Sequence, residues 1–85
     1  MDFKEKIEQF ILTEICEDLG LNIQHIQEDQ PLIDSGIIDS LGILRLLSFF
    51  DEELDIDISG NEIKRENFVN LRTICALIQR HIGTD

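Results

Sequence analysis

LIDSGIIDSLGILRLL, residues 32–47, contains the change of pattern on which the fold turns. Up to Ile38 the apolar residues are interrupted by Asp34, Ser35 and Gly36, a combination that breaks regular periodicity. From Asp39 onward apolar residues dominate to the end of the segment, with Gly42 inside the run. Asp39 has the short acceptor side chain that caps a helix, which puts Ser40 in the first turn of a helix running to about residue 54. Leu41, Leu44, Leu47 and then Phe50 or Asp51 trace its face, with Ile43, Leu46 and Leu54 widening it. A helix this apolar is expected to offer side chains to a partner as well as to the core.

Working back toward the N-terminus, the 21–39 stretch has no period but retains Ile23, Ile26, Leu32, Ile33, Ile37 and Ile38. A connection of this length in a small domain is either functional or packed by its own side chains, and its apolar content predicts packing across one face of a bundle. Before it, Phe3, Ile7, Phe10, Ile11, Ile15 and Leu19 recur at helical steps, predicting a helix over 3–19 with Asp2 as cap and Gly20 as stop.

Toward the C-terminus, Ser59, Gly60 and Asn61 signal a turn, and a short helical turn is expected around 64–68. A last helix over 71–82 follows, capped by Asn70, with Leu71, Ile74, Cys75, Ile78 and Ile82 on one stripe. Arg80 and His81 in its final turn suit the negative end of the helix dipole. Only Leu54-Ile56-Ile58 alternates as a strand would. The expected architecture is all-α, a small four-helix bundle of three main helices and one short one, with a long loop between the first two. Residues 1–85 are read as one domain.

Composition narrows the function classes. The 85 residues are 42% hydrophobic, enough for a packed core, and carry a net charge of −11. Between Ile7 and Ile63 the only Lys or Arg is Arg45, which argues against a nucleic-acid surface and favours partners with basic patches. Cys16 and Cys75 lie far apart within helical patterns and are expected as buried thiols in a reducing compartment. The N-terminal segment is charged and lacks the apolar run of a signal peptide, and no run reaches transmembrane length, so the protein is expected to be cytoplasmic, monomeric and not inserted in a membrane.

Two motifs compete for the chemistry. The first is the repeated Asp-Ser pair, Asp34-Ser35 and Asp39-Ser40. Only Ser40 is followed at once by a helix, whose first turn offers unbonded backbone N–H groups and the positive dipole end to an anion. The second is the segment 55–66, in which Asp55, Asp57, Ser59, Gly60 and Glu66 fit the spacing of an EF-hand calcium loop. Its eighth position is Glu62 where an apolar residue is wanted, the chain has no second such loop, and Ile56 and Ile58 are better used in the core. Weak cation association with these acids is the more reasonable expectation, and no specific metal site is assigned. His25 and His81 have no nucleophile signature beside them, and no Gly-rich phosphate loop occurs, so an enzyme is not expected.

Leu32, Asp34, Gly36, Asp39, Ser40 and Leu41, followed by the acids Asp51, Glu52 and Glu53, then Ile58 and the run Phe68–Asn70–Leu71, resemble the phosphopantetheine-binding carrier family over nearly the whole chain. The resemblance implies a non-catalytic carrier with a covalent 4'-phosphopantetheine on Ser40, and with Asp39 helping a phosphopantetheinyl transferase recognise the site. It also implies an adenylating or acyl-loading enzyme, and a downstream transferase or synthase, docking through Leu41, Gly42, Leu44 and Arg45. Fatty-acid carriers usually have acids where this chain has Gly42 and Arg45. The 36–42 run is more similar to free-standing aminoacyl carriers, including D-alanyl carriers, so an aminoacyl or specialised acyl cargo is expected, with a fatty-acid or polyketide cargo as the alternative.

Overall fold

The computed structural model describes residues 3–82. The first helix, α1, spans Phe3–Phe10 and continues as a wider π-helical segment over Ile11–Cys16. It ends where the sequence placed the stop. Gly20, at φ +76°, sends its N–H to the Glu17 carbonyl (3.0 Å) while Leu21 N–H reaches back to Cys16 (2.9 Å), the paired bonds of a glycine-terminated helix.

The interior of that helix differs from the expectation of a regular 3–19 helix. Thr13 Oγ1 donates to the Gln9 carbonyl at 2.8 Å, and the ladder beyond it includes a five-residue step from Glu17 N–H to Leu12 O (3.2 Å). A five-residue step admits one more residue per turn, so the buried face becomes Ile11, Leu12, Ile15 and Cys16. Leu19, expected on the stripe, is rotated out and is 54% exposed.

α2 spans Ser40–Leu54 and α3 spans Leu71–Ile82. Both carry the expected caps. Asp39 Oδ1 accepts the Gly42 N–H, and Asn70 Oδ1 accepts the Thr73 N–H at 2.9 Å, with Thr73 Oγ1 accepting the Asn70 N–H in return. Short 3-10 turns at Gly60–Glu62 and Arg65–Phe68 join them, the second being the expected short turn. Asp55, in the left-handed region at φ 57°, ends α2, and Ile56 N–H bonds the Phe50 carbonyl. Among the described residues there is no strand, and the architecture is the small helical bundle with a long first loop.

The long loop is packed, as its apolar content predicted. Ile26, Leu32, Ile37 and Ile38 are buried in the same core as Ile7, Phe50, Phe68 and Ile74. Its backbone is tied at both flanks. Ile26 N–H bonds the Glu8 carboxylate (2.8 Å), Leu32 N–H bonds Val69 O (2.8 Å), and Arg72 N–H bonds Glu28 O (3.0 Å). These bonds answer where the polar groups of an unstructured, partly buried segment go.

Core assignments change on α2 and α3. The buried row of α2 is Gly42, Leu46 and Phe50, while Leu41 and Leu44 are 62% and 60% exposed. On a helix apolar nearly all round, period alone does not select the inner row; the Phe10–Phe49 ring stack, centroids 4.5 Å apart, joins α2 to α1 beside it. On α3, Leu77 joins the buried row, Cys75 is only partly buried, and Ile82 is 49% exposed at the helix end. The buried polar residue Asn67 is satisfied: its amide donates to the Glu62 carbonyl (2.8 Å) and its carbonyl accepts from Arg80 (3.3 Å).

Candidate functional site

The two Asp-Ser pairs end up in different surroundings. Ser35 lies in a turn between Leu32 and Ile38, where its Oγ donates to the Leu32 carbonyl (3.2 Å) and accepts the Ile37 N–H (3.4 Å). Gly36 follows at φ +85°, a left-handed position that a side chain would strain, so the chain turns there and no helix begins. The Ser35 hydroxyl is therefore part of the turn.

Ser40 is exposed and is the first residue of α2. Asp39, extended at φ −117° and ψ −167°, accepts the Gly42 N–H through Oδ1 (2.9 Å) and the Ile43 N–H through its carbonyl (2.9 Å). The Ser40 and Leu41 amides then remain as the first-turn N–H groups that helix geometry leaves without an intrahelical acceptor. Among the described residues, no hydrogen bond engages the Ser40 hydroxyl.

Ser40 also stands on the rim of a recess of about 400 Å³. Ile33, Ile38, Ile43 and Ile63 give it apolar walls, and Lys64 and Arg65 bring positive charge to the same space. Arg65, which lines the recess, is ion-paired with Asp34, while Lys64 takes part in no ion pair among the described residues. Exposed hydroxyl, first-turn amides, adjacent cations and apolar walls together fit a group joined to Ser40 through a phosphate and continuing as a mainly uncharged chain.

The remaining sequence candidates divide. Leu41 and Leu44 are exposed on α2 and available to a partner. Gly42 is buried: a Cβ there would meet Ile38 Cγ2 at 3.2 Å, so its smallness lets α2 sit close to the loop. Arg45 is turned toward the first helix, bonding the Glu14 carbonyl and Asp18 Oδ2 (3.4 Å), with Glu14 Oε1 at 3.8 Å. Gly42 is thus in packing contact with the loop and Arg45 in ion pairs with the first helix, while Leu41 and Leu44 are the exposed members of the four.

The 55–66 segment does not close into a calcium loop. Ile56 and Ile58 are buried, residues 60–62 form a 3-10 turn, and among the described residues no three His, Cys, Asp or Glu side chains are gathered as metal ligands. His25 Nδ1 lies 2.8 Å from the Glu8 carboxylate and His81 Nε2 lies 2.9 Å from Glu62, both ties between elements. Lys64 and Arg65 were missed as site residues. They are 24 and 25 positions beyond Ser40, although the adjacent Lys-Arg pair in so acidic a chain was a usable signal.

Comparison with known proteins gives a consistent result. Residues 9–80 match the family described as a phosphopantetheine attachment site. An acyl carrier protein of Buchnera aphidicola subsp. Baizongia pistaciae (strain Bp) is 32% identical over 78 residues, covering 92% of this chain and 97% of the relative. A D-alanyl carrier protein of Bacillus cereus (strain B4264) is 36% identical over 67 residues, covering 79% of this chain and 80% of the relative. Among solved structures, a chain described as "Crystal structure of FAD-dependent dehydrogenase" superposes with a TM-score of 0.73 at 33% identity, covering 85% of this chain and 97% of that one. No helix among the described residues is long and apolar enough to cross a membrane.

Proposed function

The chain belongs to the phosphopantetheine-binding carrier family, and from that premise we propose that Ser40 is the residue that receives the arm. Carriers of this family are not enzymes; a covalent 4'-phosphopantetheine supplies the thiol on which the cargo rides as a thioester, and phosphopantetheinyl transferases and acyl-loading enzymes act on them. The observation behind the assignment is the contrast between the two serines. Ser35 Oγ is bonded within its turn, whereas Ser40, at the opening of α2, has no hydroxyl hydrogen bond among the described residues and lines one recess with Lys64 and Arg65. In the attachment, Ser40 Oγ forms a bond to the phosphorus bearing pantetheine in coenzyme A. Adenosine bisphosphate leaves, and the hydroxyl proton passes to the transferase or solvent. Asp39 holds the helix start in place for that reaction through its bond to Gly42. The test is to incubate the chain with a transferase and coenzyme A, then locate the added arm by fragmentation; an arm on any residue other than Ser40 overturns the assignment.

We take the cargo to be an aminoacyl or specialised acyl group, delivered within the cytoplasm by a monomeric one-domain carrier. Two features support this over fatty-acid or polyketide synthesis. The positions where fatty-acid carriers present acids are a packed glycine and an arginine tied to Glu14 and Asp18, and the relatives include D-alanyl carriers. Partners then rely on exposed Leu41 and Leu44 for contact with α2. Loading by an adenylating enzyme with an amino acid and ATP supports this reading, and loading only by acyl transfer or by an acyl ligase specific for fatty acids supports the alternative. The description borne by the solved-structure relative makes a flavin-dependent dehydrogenase the downstream enzyme to try first, with loss of two hydrogens from the tethered cargo as the readout.

A further inference from the structure

We infer that Lys64 and Arg65 form a binding site for the arm's phosphodiester, and that Arg65 changes partner from Asp34 to that phosphate when Ser40 is modified. The inference rests on Ser40 being the attachment residue.

Attachment places a permanent negative charge at Ser40. The preceding residue is Asp39, Asp34 is the carboxylate that Arg65 now holds, and the whole chain already carries −11. Like charges at such range oppose the modified state unless something offsets them. Among the described residues, Lys64 and Arg65 are the cations that line the recess that Ser40 borders. The other arginines do not line it and meet other partners: Arg45 meets Glu14 and Asp18, Arg72 meets Glu28, and Arg80 meets Asn67.

The two cations differ in readiness. Lys64 has an exposed ammonium with no ion pair among the described residues, so it meets the phosphate without giving anything up. Arg65 must leave Asp34, but that pair is exposed on both sides, 61% and 67%, and an exposed pair is held weakly and screened by salt. The guanidinium fork matches two phosphate oxygens as well as it matches a carboxylate. Before modification Arg65 is thus held by Asp34. After it, Arg65 exchanges that carboxylate for the phosphate, and with Lys64 it holds the base of the arm near the apolar walls until a partner draws it out.

The test uses the full chain in its modified form, each sample being checked by mass for one arm on Ser40. Phosphorus NMR reads the phosphodiester directly. In the wild type its resonance should shift between low and high salt as the cations are screened. In the double variant Lys64→Gln/Arg65→Gln it should sit at the high-salt position under all conditions. Asp34→Asn, which removes the competitor for Arg65, should move it further in the low-salt direction. Lys64→Gln alone should give an intermediate position, guarding against a special effect of the double change. Coincident, salt-independent resonances in wild type and double variant overturn the inference even though the arm is on Ser40. An arm mapped elsewhere overturns the Ser40 assignment as well, so the two failures are told apart.

Discussion

Asp39 Oδ1 accepts the N–H of Gly42 at 2.9 Å, so the residue directly before Ser40 is spent on opening the helix that displays it. Replacing Asp39 with Ala should cost about 1 kcal/mol of unfolding free energy in urea titrations, the usual loss for a helix cap. Asn at the same position retains the acceptor and should recover most of that stability. Modification rates of the Asn and Ala variants then separate capping from charge: equal slowing of both assigns Asp39's contribution to its carboxylate, and slowing of Ala alone assigns it to the cap.

Phe50 lies fully buried on α2 while Leu44, on the same helix, is 60% exposed. Phe50→Ala should lose about 3–5 kcal/mol, a large part of what a small domain has, and show a much lower melting temperature by circular dichroism. Leu44→Ala should change stability by less than about 0.5 kcal/mol. Its effect should fall instead on loading by partner enzymes, as a higher KM for the carrier with an unchanged arm. A Leu44→Ala protein as unstable as Phe50→Ala would contradict the packing described.

The distribution of those residues marks what the sequence made legible. Helix ends were readable because single side chains set them: Asp39 and Asn70 as caps, Gly20 as a left-handed stop. Helix faces were less so. α2 carries leucines and isoleucines nearly all round, and the choice of Gly42, Leu46 and Phe50 as the inner row goes with the close approach of Gly42 to the loop residue Ile38 and with the stack of Phe49 on Phe10, a contact distant along the chain. The π-helical segment of the first helix had no pattern signal, since Ile11, Leu12, Ile15 and Cys16 are apolar under either period. The helix start at Ser40 was legible from its cap, whereas the Lys64-Arg65 pair stood out in sequence without its place, because only the folded chain brings residues 64 and 65 to the recess that Ser40 lines.

Burial pushes the Cys16 thiol above its ordinary pKa, since the thiolate has no solvent and is disfavoured. Cys75 is partly exposed on α3. In the unmodified protein a maleimide should label Cys75 first, and labelling of Cys16 should be slow at neutral pH and accelerate with denaturant in step with unfolding. Equal labelling rates in the native state would mean that Cys16 is not buried.

Glu28 is held below its ordinary pKa by its hydrogen bond and attraction to Lys4, 2.6 Å away, with Arg72 adding to the effect. A carboxylate with a depressed folded-state pKa contributes stability above its unfolded pKa and loses it as pH falls through the folded value. The melting temperature should therefore drop on acidification below the ordinary glutamate range, and Glu28→Gln should flatten that part of the profile by lowering the neutral-pH value, the two proteins converging in acid. High salt should reduce the effect, because the group is exposed. An unchanged acid limb in Glu28→Gln would remove Glu28 from the account.

The central claim is the identity of the modified serine, and intact-mass measurement tests it most directly. With a phosphopantetheinyl transferase and coenzyme A, the wild type and Ser35→Ala should each gain the mass of one arm, and Ser40→Ala should gain none. A Ser40→Ala protein that still takes up an arm, or a wild type that never does with any competent transferase, would contradict it.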